Sequence, residues 1–400
     1  MTALYLYDDA RARAFEPFAL TRPLSALRVG AFLTRDRWSR AHGAEPDGVI
    51  VAAHLDDFEE DSAPPSAREL PRGAIVANVR CAIDATAALR DADVWMCDGR
   101  VAAVRLSRDI KPSMLADGQV PLEELAPDDA RVATIQGRWI EEVWHLITDL
   151  LPQLRDDIAA IGPSLACATP SHVTVLGNEG VFIERGATVE PHVVLDVSAG
   201  PVLVRKDAVV RAFTRLVGPC AIASRTTILG DRVHGCSIGE GSIIRGEISE
   251  AVVLGQSNKA HDGFVGHSYF GRWVNLGAGT ITSNLKNTYG TVALWTPDGP
   301  RDTGVQKLGA FFGDHVKTGI GLRITTGTVI GAGSNVFGSD MPPKYVKPFS
   351  WGEGRSLDTY RLDKFLDVTR RAMSRRQVIL GERGCRQLTR AFERAQQELE

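Results

Sequence analysis

His261 sits in a polar segment, Asn258-Lys259-Ala260-His261-Asp262-Gly263-Phe264, that interrupts a long run of regularly spaced apolar residues. A neutral imidazole, with an ordinary pKa of about 6.5, accepts a proton at neutral pH. His261 can therefore serve as a general base, or equally as a surface histidine. Downstream, Trp273-Val274-Asn275-Leu276-Gly277-Ala278-Gly279-Thr280-Ile281-Thr282-Ser283-Asn284 adds two amides and a glycine-rich step. His267 and His315 read as exposed coil residues. The six cysteines (81, 97, 167, 220, 236 and 385) show no C-x-x-C or paired spacing, so no metal cluster or thiol nucleophile is expected.

The element that must position these groups is written in a six-residue beat. Large apolar residues recur at Ile183, Val189 and Leu195. After a three-residue slip they recur at Val204, Val210, Leu216, Ile222 and Ile228, and again at Ile238 and Ile244. The beat returns at Phe264, Phe270 and Leu276, and finally at Phe312, Thr318, Ile324, Ile330 and Val336. Such a period matches neither an amphipathic helix nor a half-buried strand. It predicts a parallel β-helix in which each hexad is one flat face and three hexads make one coil. Two excursions, Glu250–Gly263 and Ser283–Lys307, leave the pattern, and insertions in a solenoid gather on a binding face.

Residues 1–110 read as a small α/β unit. Strands are expected at Ala3–Tyr7, 48–52 and 74–77, with a hairpin turning at Asp98-Gly99. Helical composition appears at Ala31–His42 and Ala85–Asp91, with a surface loop at Asp56–Arg72. Residues 111–164 form a connector ending in a helix over Trp139–Ile161, kinked at Pro152. The solenoid occupies 165–345, and 346–400 form a C-terminal extension with charged helices at Tyr360–Arg376 and Arg386–Leu399.

The net charge of −3 with mixed signs offers no basic footprint for nucleic acid. No apolar run is long enough to span a bilayer, and Met1 leads into a strand, not a signal peptide. These features point to a reduced, cytoplasmic protein. Arginine outnumbers lysine 37 to 9, yet six of the nine lysines fall between 259 and 347. Chance placement explains this, or else some positions there need a compact ammonium in place of a planar guanidinium.

The segment from Asn258 to Phe264, followed in register by Asn275 and Asn284, resembles the acyltransferase half of the bifunctional N-acetylglucosamine-1-phosphate uridyltransferase / glucosamine-1-phosphate N-acetyltransferase family. Closer still is an alternative subgroup of sugar nucleotidyltransferases, on Ser283–Tyr289, Asp302–Gln306 and Phe349–Gly352. The resemblance implies a nucleotidyltransferase-like domain joined to a left-handed β-helix that works as a homotrimer on small molecules. It implies acetyl-CoA-dependent N-acetylation of an amino-sugar phosphate, with His261 as base and Lys259, Asn275, Asn284, Lys286 and Arg245 as substrate contacts. Arg245 fits a solvated coil position equally well. Acetyl-CoA would lie beside Ala278, Gly319, Gly321, Gly331 and Gly333.

Where that family has a tyrosine three residues after the histidine, this chain has Phe264, which puts the sugar's identity in question. The N-terminal match is weaker. Phe18-Ala19-Leu20-Thr21-Arg22-Pro23-Leu24 and Arg28-Val29-Gly30 echo part of a nucleotide-binding stretch, but Asp8-Asp9-Ala10-Arg11 replaces its glycine-rich loop. Nucleotidyl transfer would then rest on Arg22 and Arg28, with Mg²⁺ on the triphosphate. Two other readings stand beside this one. The chain could be a nucleotidyltransferase whose β-helix serves only assembly and regulation, or a non-enzymatic scaffold.

Overall fold

The computed structural model describes residues 2–397. The chain divides into two compact units, 1–143 with 381–400, and 144–380. In the N-terminal unit β1 (Leu4–Tyr7), β2 (Gly48–Ile50), β3 (Ile75–Asn78), β4 (Val94–Cys97), β5 (Arg100–Arg105) and β6 (Val132–Thr134) form one mixed sheet in the order β2-β1-β3-β5-β4-β6. β1 is fully buried and pairs parallel with β2 and β3, which explains its unbroken apolar run. Asp98 (φ 47°) and Gly99 (φ 75°) turn the β4–β5 hairpin, as expected of an Asp-Gly pair. Helix α1 (Thr34–His42) ends on Gly43 in the left-handed region.

Two local expectations fail here. Ala85–Asp91 is a turn and extended loop, because seven residues cannot sustain a helix without packing, and Leu89 spends its N–H on the carbonyl of Ala41. The connecting helix does not begin at Trp139, which lies in a short strand, Gly137–Trp139, paired with Cys81–Ile83. It forms instead as α2 (His145–Thr148) and α3 (Leu150–Leu165), broken at Asp149. Pro152 lies in the first turn of α3, where its missing N–H costs nothing.

The second unit is a β-helix. One face stacks Thr174–Leu176, Val194–Asp196, Thr214–Val217, Asp231–His234, Ile248–Ser249 and Val265–Gly266 in parallel. A second face carries a continuous inward column: Ile183, Val204, Ile222, Ile238, Val253, Phe270, Phe312, Ile330 and Val346. On the third face the column runs Val189, Val210, Ile228, Ile244 and then Lys259.

The hexad residues fill this core with one exception. Phe264 is half-buried and Val265 takes the inward place, so the beat slips by one residue after the polar segment. Cys220 and Cys236 are core residues, and burial pushes the Cys220 thiol up to about 12. The open end is covered by an antiparallel hairpin, Ser350–Glu353 with Ser356–Thr359. Helix α4 (Leu362–Ser374) buries Phe365, Thr369 and Met373, with Phe365 edge-on to Phe349 at 5.1 Å.

Helix α5 (Glu382–Gln397), which the sequence places beside the solenoid end, packs into the N-terminal unit. Gln387 donates to the carbonyl of Thr21 (2.9 Å), and Arg386 and Arg390 meet Asp57. The expected helix end at Leu399 lies outside the described residues. Among the described residues no helix is long and apolar enough to cross a membrane.

Asp8 follows β1 and is buried at 3 % exposure, accepting from the N–H of Leu24 at 3.0 Å. Burial raises its pKa from 3.8 to about 7. The unfolded chain therefore loses this proton at lower pH than the folded one, so stability should fall as pH rises from about 4 to 7. Asp8→Asn is expected to flatten that part of the melting-temperature profile relative to the unaltered chain. Parallel profiles for the two proteins would show that Asp8 stays ionised.

Candidate active site on one edge of the solenoid

The turns that leave the third face pile into one edge of the β-helix, and the polar segment lies there. Lys259 occupies an inward position beside Ile244 and is 1 % exposed. Its ammonium bends to the corner and donates to the carbonyls of Arg245 (3.3 Å), Asp262 (3.1 Å) and His261. Burial pushes its pKa down to about 8, with Asp262 and Asp231 opposing. It thus pins the backbone of the turn from inside, and its charge is committed to carbonyls, not to an external phosphate.

Outside that turn His261 is exposed. Beside it Arg245 meets Asp262 at 3.1 Å and Asp231 at 3.3 Å, all partly exposed. Gly263 (φ +129°) closes the turn, and a Cβ there would stand 2.4 Å from the carbonyl of Thr280. Arg245, Lys259 and His261 are therefore brought together. The same edge continues through Ala278 to Gly319 and Gly321, the N–H of Gly321 bonding the carbonyl of Ala278 at 2.7 Å. The space over Gly321 is open, since a Cβ there would meet nothing within 4 Å.

Other expected contacts lie elsewhere. Gly331 and Gly333 are buried at a different corner, where a Cβ would strike Pro348 and Phe349 at 2.4 Å. Their lack of side chains serves packing, not ligand approach. Asn275 faces outward on the third face, its Oδ1 accepting from Asn258 at 3.0 Å. Lys286 lies in the 283–307 excursion and donates to the carbonyl of Thr291. Asn284 is at the corner between the first and second faces, where its amide donates to His267 Nδ1 at 2.9 Å.

His267 is not the exposed residue the sequence implied. It is 8 % exposed, and its Nε2 lies 3.3 Å from Glu250. That contact holds the Glu250 carboxyl below its ordinary range. The chain Glu250–His267–Asn284 fixes the orientation of the Asn284 amide. His315 is likewise buried, stacked on Trp273. Both histidines adopt positive φ at corners, as polar residues tolerate better than branched ones, and only that tolerance hinted at their places.

In the N-terminal unit the end of β1 opens on a hollow of about 210 Å³, lined among others by Asp9, Asn78, Arg80, Arg100 and Trp139. Asp9 receives Arg80 at 2.7 Å and Asn78 at 2.8 Å; burial alone would raise its pKa, but these bonds outweigh it and hold it low. Arg80 also meets Glu141 at 2.8 Å, and Arg100 covers the Trp139 ring. Arg22 and Arg28 do not line this hollow. Arg22 is 2 % exposed and paired with Glu60 at 2.8 Å, while Arg28 bonds the carbonyl of Ala31 at 2.6 Å. Among the described residues no three His, Cys, Asp or Glu side chains gather as metal ligands, and Asp9 is saturated by Arg80, so the residues present do not form a Mg²⁺ site by themselves.

Residues 4–163 match a family model described as sugar nucleotidyl transferase. This bears out the resemblance read from the sequence. Among curated proteins, a bifunctional sugar-1-phosphate nucleotidylyltransferase/acetyltransferase from Sulfurisphaera tokodaii is 30 % identical over 169 residues, covering 39 % of each chain. Bifunctional protein GlmU from Desulfitobacterium hafniense is 31 % identical over 189 residues, 41 % of this chain and 39 % of the relative. The chain thus spans about two fifths of the length of these relatives. Among solved structures, AntD, an N-acyltransferase from Bacillus cereus in complex with dTDP and 3-hydroxybutyryl-CoA, matches 52 % of this chain and 93 % of its own at 13 % identity and a TM-score of 0.19.

Lys259 supplies a direct test of how the turn is held. Lys259→Met keeps an apolar chain in the column but leaves the carbonyls without their donor, and Lys259→Arg places a guanidinium too wide for the corner. Each is expected to lower stability by about 1–3 kcal/mol in denaturant unfolding, with faster amide exchange at 261–263. An arginine variant as stable as the original would show that charge alone suffices at this position.

Proposed function

We propose that the chain is an acetyl-CoA-dependent N-acetyltransferase acting on an amino-sugar phosphate, with His261 as the general base. The observation that carries this reading is the edge itself. An exposed imidazole on a turn pinned from within by Lys259 lies on the same edge as the half-buried Ala278 and Gly319 and the open Gly321. The likeness to the S. tokodaii nucleotidylyltransferase/acetyltransferase supports the same class of reaction.

A sugar amine attacks a thioester only after losing a proton, and His261 is free to take it. The oxyanion that forms on the thioester carbonyl needs hydrogen-bond donors. A thioester is already activated, so no covalent enzyme intermediate is required. Arg245, paired only with exposed carboxylates, can exchange them for a substrate phosphate at modest cost. Asn275 and Asn284 face different parts of the surface from His261 within one chain. A homotrimer, in which the edge of one subunit meets a face of the next, would bring such groups together.

For the N-terminal unit we propose sugar-1-phosphate nucleotidyl transfer that is slow relative to acetyl transfer. The family match over 4–163 supports the activity. The slowness follows from the segment after β1, where Asp9, already held by Arg80, stands in place of the N–H donors a triphosphate needs. The hollow is also small beside the roughly 300–1,000 Å³ typical of ligand sites.

The test is acetyl-CoA with a panel of amino-sugar phosphates, followed by free thiol release. His261→Ala should lower kcat about 10²–10⁴-fold with an unchanged melting temperature, because the residue is exposed. Near-normal turnover by that variant would remove His261 from the mechanism. In parallel, fast pyrophosphate release from UTP or dTTP with a sugar 1-phosphate would show that the N-terminal unit needs no glycine-rich loop.

A further inference from the structure

Helix α4 lies along the third face of the β-helix and leaves a cleft of about 500 Å³ between them. Its buried stripe, Phe365, Thr369 and Met373, anchors the helix. The neighbouring stripe, Val368, Arg371 and Ala372, looks into the cleft, joined by Arg375 and Arg376 just beyond the helix end. The floor comes from the solenoid: Gln256, Asn258, Trp273, Asn275 and Lys317.

The charge in this cleft is one-sided. Its lining holds Arg371, Arg375, Arg376 and Lys317, and no acidic residue. Elsewhere on the same helix Arg361 and Arg370 find Asp363 and Asp367. Among the described residues, Arg371 and Arg375 have no carboxylate partner. Arg376 bonds only the carbonyl of Gly241 (2.9 Å), and Lys317 those of Trp273 (3.1 Å) and His315 (3.3 Å). Basic residues complement the last turn of a helix, which accounts for one such charge but not for three arginines at a cleft lined with amides. Crowding like charges without counter-charges destabilises a fold, and an anion in the cleft would relieve it.

We propose that this cleft is an anion site for a diphosphate ester, in which the arginines clasp the two phosphates and the Gln256, Asn258 and Asn275 amides bond the hydroxyls of the attached sugar or ribose. Arginine forks suit phosphate oxygens in pairs, and the cleft has the volume of a nucleotide-sized ligand. The proposal goes beyond the acyl-transfer reading and does not need His261 to be a base. The diphosphate could belong to a nucleotide sugar or to the thioester co-substrate.

The experiment uses the full chain and Arg371→Gln/Arg375→Gln, with inorganic pyrophosphate, UDP and coenzyme A as probes, by calorimetry and melting at low and high salt. The original protein should bind pyrophosphate and be stabilised by it, less so in salt. The double variant should bind at least tenfold more weakly, yet melt no lower without ligand, since like charges have been removed. Retention of part of the affinity by Arg371→Lys/Arg375→Lys would support a charge-based site. Tighter UDP binding that coenzyme A does not displace assigns the diphosphate to a nucleotide sugar; mutual displacement assigns it to both. No binding by any probe, or equal binding by the double variant, overturns the proposal. So does a change of association state in the variant with anion binding unaltered, which would mean the arginines meet a second copy of the chain.

Discussion

Parallel coils are joined by hydrogen bonds from each coil to the next, so a residue in an inward column cannot change face without carrying its stacked neighbours with it. The column from Ile183 to Val346 obeys this through every aligned strand of the second face, including the coils on either side of the 283–307 excursion. Irregularity is therefore confined to corners. The loops between faces absorb the slips, the positive-φ residues and the inserted hairpin, while the faces stay in register. The exposed turn that holds His261 is such a corner.

Lys259 is where this rule and the chemistry meet. An ammonium in an apolar column is costly to bury, and three carbonyls at the corner are costly to leave without donors. Placed together they satisfy each other. The same device recurs at Lys317 and Lys344, whose ammoniums also turn back onto corner carbonyls. Three of the six lysines between 259 and 347 thus have a physical cause in a chain that otherwise prefers arginine. A compact ammonium can enter the end of a coil and bond carbonyls at several angles, whereas a planar guanidinium with five donors cannot be satisfied there.

The solenoid was legible because its signal is periodic and long: a one-residue error at Phe264 left the rest of the beat intact. The N-terminal strands were legible from their apolar runs and from Asp98-Gly99. Short elements such as 85–91 were not, since a tertiary hydrogen bond at Leu89 outweighs weak local propensity. In the site, the residue types were readable but not their directions. Lys259 has the look of a ligand-binding cation and points inward; His267 has the look of a coil residue and sits between Glu250 and Asn284. Direction depends on which member of a turn takes the inward place, and one slipped residue reverses it. The arginines of α4 carry no signal in sequence because a basic helix face usually means a solvated one.

The edge that holds Arg245, His261, Ala278 and Gly321 has a metric of its own. Adjacent coils are separated by the inter-strand spacing of about 4.8 Å. Positions along the edge are therefore available only in whole steps: Ala278 lies one coil beyond His261 and Gly321 two, or roughly 10 Å. A rigid scale of this kind measures length. A chain laid along the edge with one end fixed can present its reactive atom at His261 only if its reach fits a whole number of coils. On the proposed reading of His261 as the base, gain or loss of a coil would then retune the edge for a longer or shorter donor without altering a side chain around it.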